Sequence, residues 1–254
     1  MAEQQLLFSQ QDDDLTVRVW QQGDRRWLDF DDVVVQSEIL LERPDHLLLA
    51  NRHMLAGCLF SPPPKNILLA GAGGGAIARY FSNRFPDVSV DAVELSPLIC
   101  ELARDFFDFP DGEQCQLHSQ DINHYVADCQ RRYDAIVIDI AEDKLTPEWI
   151  IDDNFLHHCR SLLTPQGHVA FNLLVNDGEG LMHFLSAIRE RFNRQTVCLS
   201  VAEHRNIIVL AFNNQPREQV AAEHLIEIEQ EWGIEFTDFY QQMLKENPKG
   251  SGVI

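Results

Sequence analysis

Residues 66–70, Asn-Ile-Leu-Leu-Ala, form an apolar run that ends on Gly71-Ala72-Gly73-Gly74-Gly75, and a helical pattern opens at Ala76. A strand without polar alternation has to be covered on both faces, which is the condition of a strand inside a parallel sheet. The same arrangement repeats along the chain. VSVDAVEL, YDAIVIDI and HVAFNLL read as buried strands, QCQLHSQ as a weaker one. Helical stretches separate them at AIARYFSNRF, PLICELARDFF, INHYVADC, near Asn154 to Leu163, and from Gly180 to Phe192. Alternation of this kind predicts an α/β fold with a mainly parallel sheet between two helical layers. The last two strands, TVCLSVA and NIIVLAF, are joined by only the short segment from Glu203 to Asn206, too short for a parallel crossover. They are expected to pair as an antiparallel hairpin, giving a Rossmann-like, methyltransferase-like sheet of seven strands.

Upstream, Leu15 to Gln36 alternates apolar and polar residues between Gly-Asp and Asp-Asp turns. This predicts a small antiparallel β meander. Arg43 to Leu59 reads as a helix, stopped by Pro62-Pro63-Pro64. The expected organisation is a meander and helix over 1–60, the Rossmann-like sheet over 61–214, and a helical extension over 215–254 with a frayed tail from Asn247.

Composition narrows the function. A formal net charge of −20 repels phosphate backbones and argues against nucleic acid as a partner. No apolar run is long enough to span a membrane, and the first residues show no secretory pattern, so a cytoplasmic location is expected. Six cysteines without a CxxC pair read as reduced thiols, and ten histidines without HExxH spacing predict no metal site.

In open α/β sheets, ligands bind beyond the carboxyl ends of the strands. Three acids stand there: Glu94, nineteen positions beyond Gly75, then Asp121 and Asp139. The glycine turn lets backbone approach a ligand closely, and Glu94 is placed to accept hydrogen bonds from ribose hydroxyls. A nicotinamide cofactor and a sulfonium nucleoside both suit this pattern. The chain has little room for the second substrate domain of a dehydrogenase, which favours the sulfonium nucleoside. Asn172, ending its strand, is a candidate acceptor-site residue. Trp149 reads as a packing residue.

From Trp27 through Phe212 the chain resembles the spermidine synthase (polyamine aminopropyltransferase) family. The resemblance rests on the opening hairpin with Gln36, the glycine loop, the VEL strand with Glu94, Asp121, and the YDxIxxD strand with Asp139. It implies a donor site in which Gln36 meets the thioether end, Gly71, Gly73 and Gly75 form the loop, Glu94 holds the ribose and Asp121 the adenine. Leu95 and Ile122 lie beside these two acids. It further implies Asp139 as the acid–base residue at the amine, and a homodimer. The chain departs from the family's pattern in three places. Gly74 stands where the loop usually carries an Asp. Asp139-Ile140-Ala141-Glu142-Asp143 replaces D-x-x-D-P, with Glu142 standing in for the second carboxylate. Leu49 to Met54 lacks the family's Tyr-His-Glu.

The expected activity is aminopropyl transfer from decarboxylated S-adenosylmethionine to a small amine. Methyl transfer from S-adenosylmethionine to a small molecule stands as the alternative, and a non-catalytic nucleoside-binding relative as a third reading.

Overall fold

The computed structural model describes residues 3–12, 15–31, 34–142, 144–216 and 220–247. Two sheets carry the fold. The first is a four-stranded antiparallel sheet of β1 (Gln5–Asp12), β2 (Leu15–Gln22), β3 (Arg25–Phe30) and β4 (Val34–Leu40), in chain order. The second has seven strands: β5 (Asn66–Ala70), β6 (Ser89–Glu94), β7 (Cys115–Ser119), β8 (Tyr133–Ile138), β9 (Leu163–Leu174), β10 (Thr196–Ser200) and β11 (Asn206–Phe212). Their order is β10-β11-β9-β8-β5-β6-β7. β5, β8 and β9 pair in parallel, as do β6 and β7, while β11 runs antiparallel to both of its neighbours. The expected α/β sheet with an antiparallel final hairpin is therefore present.

Residues cluster into two compact units, Met1–Leu48 with Gly71–Asp121, and Leu49–Ala70 with Ile122–Ile254. In the first, the meander turns one face inward. Val17, Val19, Leu28 and Ile39 bury against Ile99, Leu102 and Phe107, on and just beyond the helix α3 (Pro97–Phe106). Full burial of each such side chain is worth about 1.5–3 kcal/mol, enough to hold a sheet that could not stand alone. The unit also holds α2 (Ala76–Arg84), whose start follows the glycine turn.

In the second unit, Ile67 to Ala70, Ala135 to Ile138 and Ile208 to Phe212 are each at most 3% exposed. Cover on both faces explains why these strands read as unbroken apolar runs. Helices α1 (Leu49–Met54), α4 (Ile122–Asp128), α5 (Asp153–Ser161), α6 (Gly178–Arg191), α7 (Ala222–Trp232) and α8 (Phe236–Glu246) complete it.

Four local expectations change. The meander gains β1, whose side chains are largely exposed along an edge and so show no alternating apolar face. The helix expected from Arg43 begins only at Leu49, and its second half is a 3-10 turn, Leu55–Leu59. Pro44 disfavours helical geometry at Arg43 and offers no amide to a helix. Pro165-Gln166-Gly167 is part of β9, which bulges there: Tyr133 pairs with Leu163 but Ala135 with His168. The C-terminal helices are anchored, burying Trp232, Phe236, Phe239 and Met243. Asn247, expected to fray, is 3% exposed and its side chain bonds both the N–H and the carbonyl of Cys198. The rest of the expected tail, 248–254, lies outside the described residues. No helix among the described residues is long and apolar enough to cross a membrane.

Candidate active site

The glycine turn is built from within the first unit. Gly71, Gly73 and Gly75 adopt φ of 86°, 49° and 77°, which L side chains rarely take. Gly75 has a second reason to be glycine, since a Cβ there would lie 2.4 Å from the Phe109 ring. Each of the four glycine amides already has an acceptor. Gly71 N–H donates to Val93 O (2.9 Å), Gly73 to Glu94 Oε2 (3.1 Å), Gly74 to Ser37 Oγ (2.7 Å) and Gly75 to Ala72 O (2.8 Å).

Glu94, half-buried at the end of β6, accepts from Gly73 N–H through one oxygen and from Ser96 N–H through the other (3.1 Å). Ser96 in turn caps α3 by accepting from Ile99 N–H, with Pro97 in the first turn. Two amides thus fix the Glu94 rotamer. A carboxylate has about four lone-pair sites, so two remain for hydroxyl donors. Leu95, the next residue, is 70% exposed.

Beneath the turn, Arg79 is 1% exposed. Its guanidinium donates to the carbonyls of Gly74, Phe107 (2.6 Å), Glu38 (3.2 Å) and Pro44 (3.3 Å). Burial lowers its pKa to about 10, so it stays charged at neutral pH. One cation therefore ties the turn to the meander and to the end of α3.

Position 74 is closed. A Cβ on Gly74 would sit 2.8 Å from Ser37 Cβ and 3.1 Å from Phe107 Cγ. Substituting Gly74→Asp should lower stability by about 1–3 kcal/mol through overpacking. Replacing Ser37→Gly as well should recover part of the loss, measured as urea midpoints of the two variants. An unchanged midpoint for the single variant would mean the turn can open.

In the second unit, Asp139 follows β8 and its amide donates to Ala70 O (2.9 Å). Asn172, 6% exposed on β9, donates through Nδ2 to Asp139 Oδ1 (2.8 Å). Asn206, at the start of β11, donates to Asn172 Oδ1 (2.9 Å). Asp139 is open to solvent by surface area, yet protein crowds its carboxyl at longer range. That crowding raises its pKa from the ordinary Asp value, and the bond from Asn172 opposes the rise. The open surface is the property that governs access to a reactant.

Glu142, exposed, accepts from Trp149 Nε1 (3.0 Å), and the Trp149 ring meets Phe155 edge-on. Thr146 pins this loop to β9: its N–H donates to Leu174 O, and its Oγ1 accepts from Leu174 N–H.

Among the expected residues, the first unit brings together Glu94 and the glycine turn, and the second brings together Asp139 and Asn172. Gln36 is exposed on β4, while its neighbour Ser37 is the residue that reaches the turn. Asp121 is half-buried after β7. Ile122 is 6% exposed, so its side chain serves the core. Ser37, Arg79 and Asn206 escape the sequence reading. Among the described residues no cluster of His, Cys, Asp or Glu could hold a metal ion. Two grooves of about 250 Å³ lie at the amino ends of strands, one beside Val90 and Cys115, the other beside Lys65 and Asp134. Neither contains a candidate residue.

The Spermine/spermidine synthase domain model matches residues 50–173. A polyamine aminopropyltransferase of Chromobacterium violaceum is 27% identical over 241 residues, 93% of this chain and 92% of that protein. A spermidine synthase solved with the transition state analogue AdoDATO superposes with a TM-score of 0.66 at 16% identity, covering 92% of this chain and 83% of the other. Human methyltransferase-like protein 13, solved with SAH, gives a TM-score of 0.61 at 24% identity over 74% of this chain and 89% of the other. At these identities the two structures establish the fold.

Proposed function

We propose a transferase that takes an adenosyl sulfonium donor and passes an aminopropyl group to a small amine, a reading supported by the match of residues 50–173 to the Spermine/spermidine synthase domain model. The observation that carries the donor class is the use of the loop amides. Gly71, Gly73, Gly74 and Gly75 all donate within the protein, so they are not presented to a pyrophosphate as in a dinucleotide fold. The turn instead holds a carboxylate, Glu94, in position for the neutral hydroxyls of a ribose. Asp121 takes the adenine amine, the exposed Leu95 flanks the base, and Gln36 lies toward the thioether end.

The acceptor belongs to Asp139, Asn172 and Glu142. An amine is protonated at neutral pH and must lose a proton before it can attack. Asp139 accepts that proton. The nitrogen lone pair forms the new C–N bond while the C–S electrons pass to sulfur, leaving a neutral thioether, methylthioadenosine. The proton leaves to solvent through Asp139, which also offsets positive charge at the reacting centre. An overall charge of −20 suits a cationic acceptor. Cysteines with no disulfide among the described residues suit a reducing cytoplasm.

Closure of position 74 by Ser37 favours a second reading, methyl transfer from intact S-adenosylmethionine. A turn without a carboxylate at that position offers no counter-charge to a donor ammonium and no repulsion to a donor carboxylate.

Thermal unfolding with four ligands separates the readings. At 100 times its dissociation constant a ligand adds about 2.7 kcal/mol of stability. Decarboxylated S-adenosylmethionine and methylthioadenosine should raise the melting temperature more than intact S-adenosylmethionine, and NAD should leave it unchanged. The reverse order of the two sulfonium compounds would establish methyl transfer, and a shift with NAD alone would end the sulfonium reading.

A further inference from the structure

We propose that Asn206 is a positioning residue that fixes Asp139 through Asn172, an inference that rests on Asp139 being the acid–base group. β9 and β11 are apolar runs, 168–174 and 206–212, and each carries one asparagine on the same sheet face. Asn172 pairs with Ile208 and Asn206 with Leu174, so the two asparagines are diagonal neighbours across the antiparallel pair. A buried amide in such a strand is costly unless its hydrogen bonds are met. Here they are met in one direction only.

An ionised carboxylate has acceptors and no donor. Asn172 must therefore turn its NH₂ to Asp139, at 2.8 Å, which turns its Oδ1 the other way. That oxygen needs a donor, and Asn206 Nδ2 supplies it at 2.9 Å. The amide orientations thus follow from the charge at the head of the row. Without the donor at 206, Asn172 has less reason to keep its NH₂ on Asp139, and a flipped Asn172 would place oxygen against oxygen. Arg205 steadies the entry to β11 by donating to Val175 O at 3.0 Å. Two influences act on the Asp139 carboxyl, the surrounding protein and the Asn172 bond, and only the second runs through this row.

Asn206→Asp reverses the row. It places an acceptor where a donor stood, so Asn172 donates to it and shows Oδ1 to Asp139, which can then pair only when protonated. The test is a ¹³C carboxyl titration of Asp139, assigned by its loss in Asp139→Asn. Asn206→Ala should raise the Asp139 pKa by about half a unit and Asn206→Asp by about one unit or more. Asn206→Gln, which keeps the donor, should return it toward the wild-type value. The low-pH limb of kcat/KM should move with the titration while methylthioadenosine affinity stays unchanged.

The Asn206→Asp increment should vanish in an Asn172→Ala background, because the effect passes through Asn172. An increment that survives there is direct charge repulsion and overturns the proposal, as does equal titration in wild type and Asn206→Ala. If Asn206→Asp does not fold, the Ala and Gln variants still decide the matter. The titration needs no turnover, so it separates failure of this relay from failure of Asp139 as the acid–base group.

Discussion

Asp139→Asn is expected to lower kcat by about two to four orders of magnitude while leaving nucleoside affinity within about twofold. The substitution keeps the shape of the side chain and still offers an oxygen to Asn172 Nδ2, which now donates at 2.8 Å. What it removes is the proton acceptor. The pH dependence carries the same sign. Crowding raises the pKa of Asp139, and the residue must be ionised to accept a proton from the amine. kcat/KM therefore falls as pH drops through that raised pKa, along a limb above the ordinary aspartate range. Asp139→Asn should abolish this limb, as read from kcat/KM profiles of the two proteins. Unchanged turnover would remove Asp139 from the chemistry.

The second large effect falls on the donor. Glu94→Ala should weaken methylthioadenosine binding by about 100-fold and lower stability by about 2 kcal/mol. The first figure is about 2.7 kcal/mol, just under the lower limit for losing charge-assisted bonds to two ribose hydroxyls, each worth about 1.5–3 kcal/mol. The second follows from the amides of Gly73 and Ser96, which lose the acceptors they meet at 3.1 Å. Glu94→Gln keeps one oxygen but turns an NH₂ toward one of those amides, so it should fall between wild type and Ala in stability. Calorimetric titration with methylthioadenosine, alongside urea unfolding, reads both. A stability loss without an affinity loss would confine Glu94 to holding the turn.

How much of this was legible in the sequence depended on what each residue is buried against. The strands at 66–70, 133–138 and 206–212 could be read because a strand covered on both faces has to be apolar throughout. β1 could not, since an edge strand with exposed side chains leaves no periodic mark. The strand-end positions of Glu94 and Asp139 were visible for a topological reason, because ligands gather where parallel strands end. Ser37 was not, since adjacent residues on a strand face opposite ways and the register of β4 is a property of the folded sheet. Arg79 lies unmarked within the helical stretch AIARYFSNRF, and only the folded chain brings four carbonyls around it. Asn206 reads as a turn residue until β11 is laid beside β9. Side chains whose partners lie far off in sequence were the ones that stayed hidden.

The most direct test of the account is the identity of the products. The protein is incubated with decarboxylated S-adenosylmethionine and a short aliphatic diamine, in parallel with intact S-adenosylmethionine and the same amine, and both mixtures are resolved by mass spectrometry. Methylthioadenosine and an equal amount of amine enlarged by one aminopropyl group are expected in the first mixture, and neither with Asp139→Asn. S-adenosylhomocysteine in the second mixture with no methylthioadenosine in the first would contradict aminopropyl transfer.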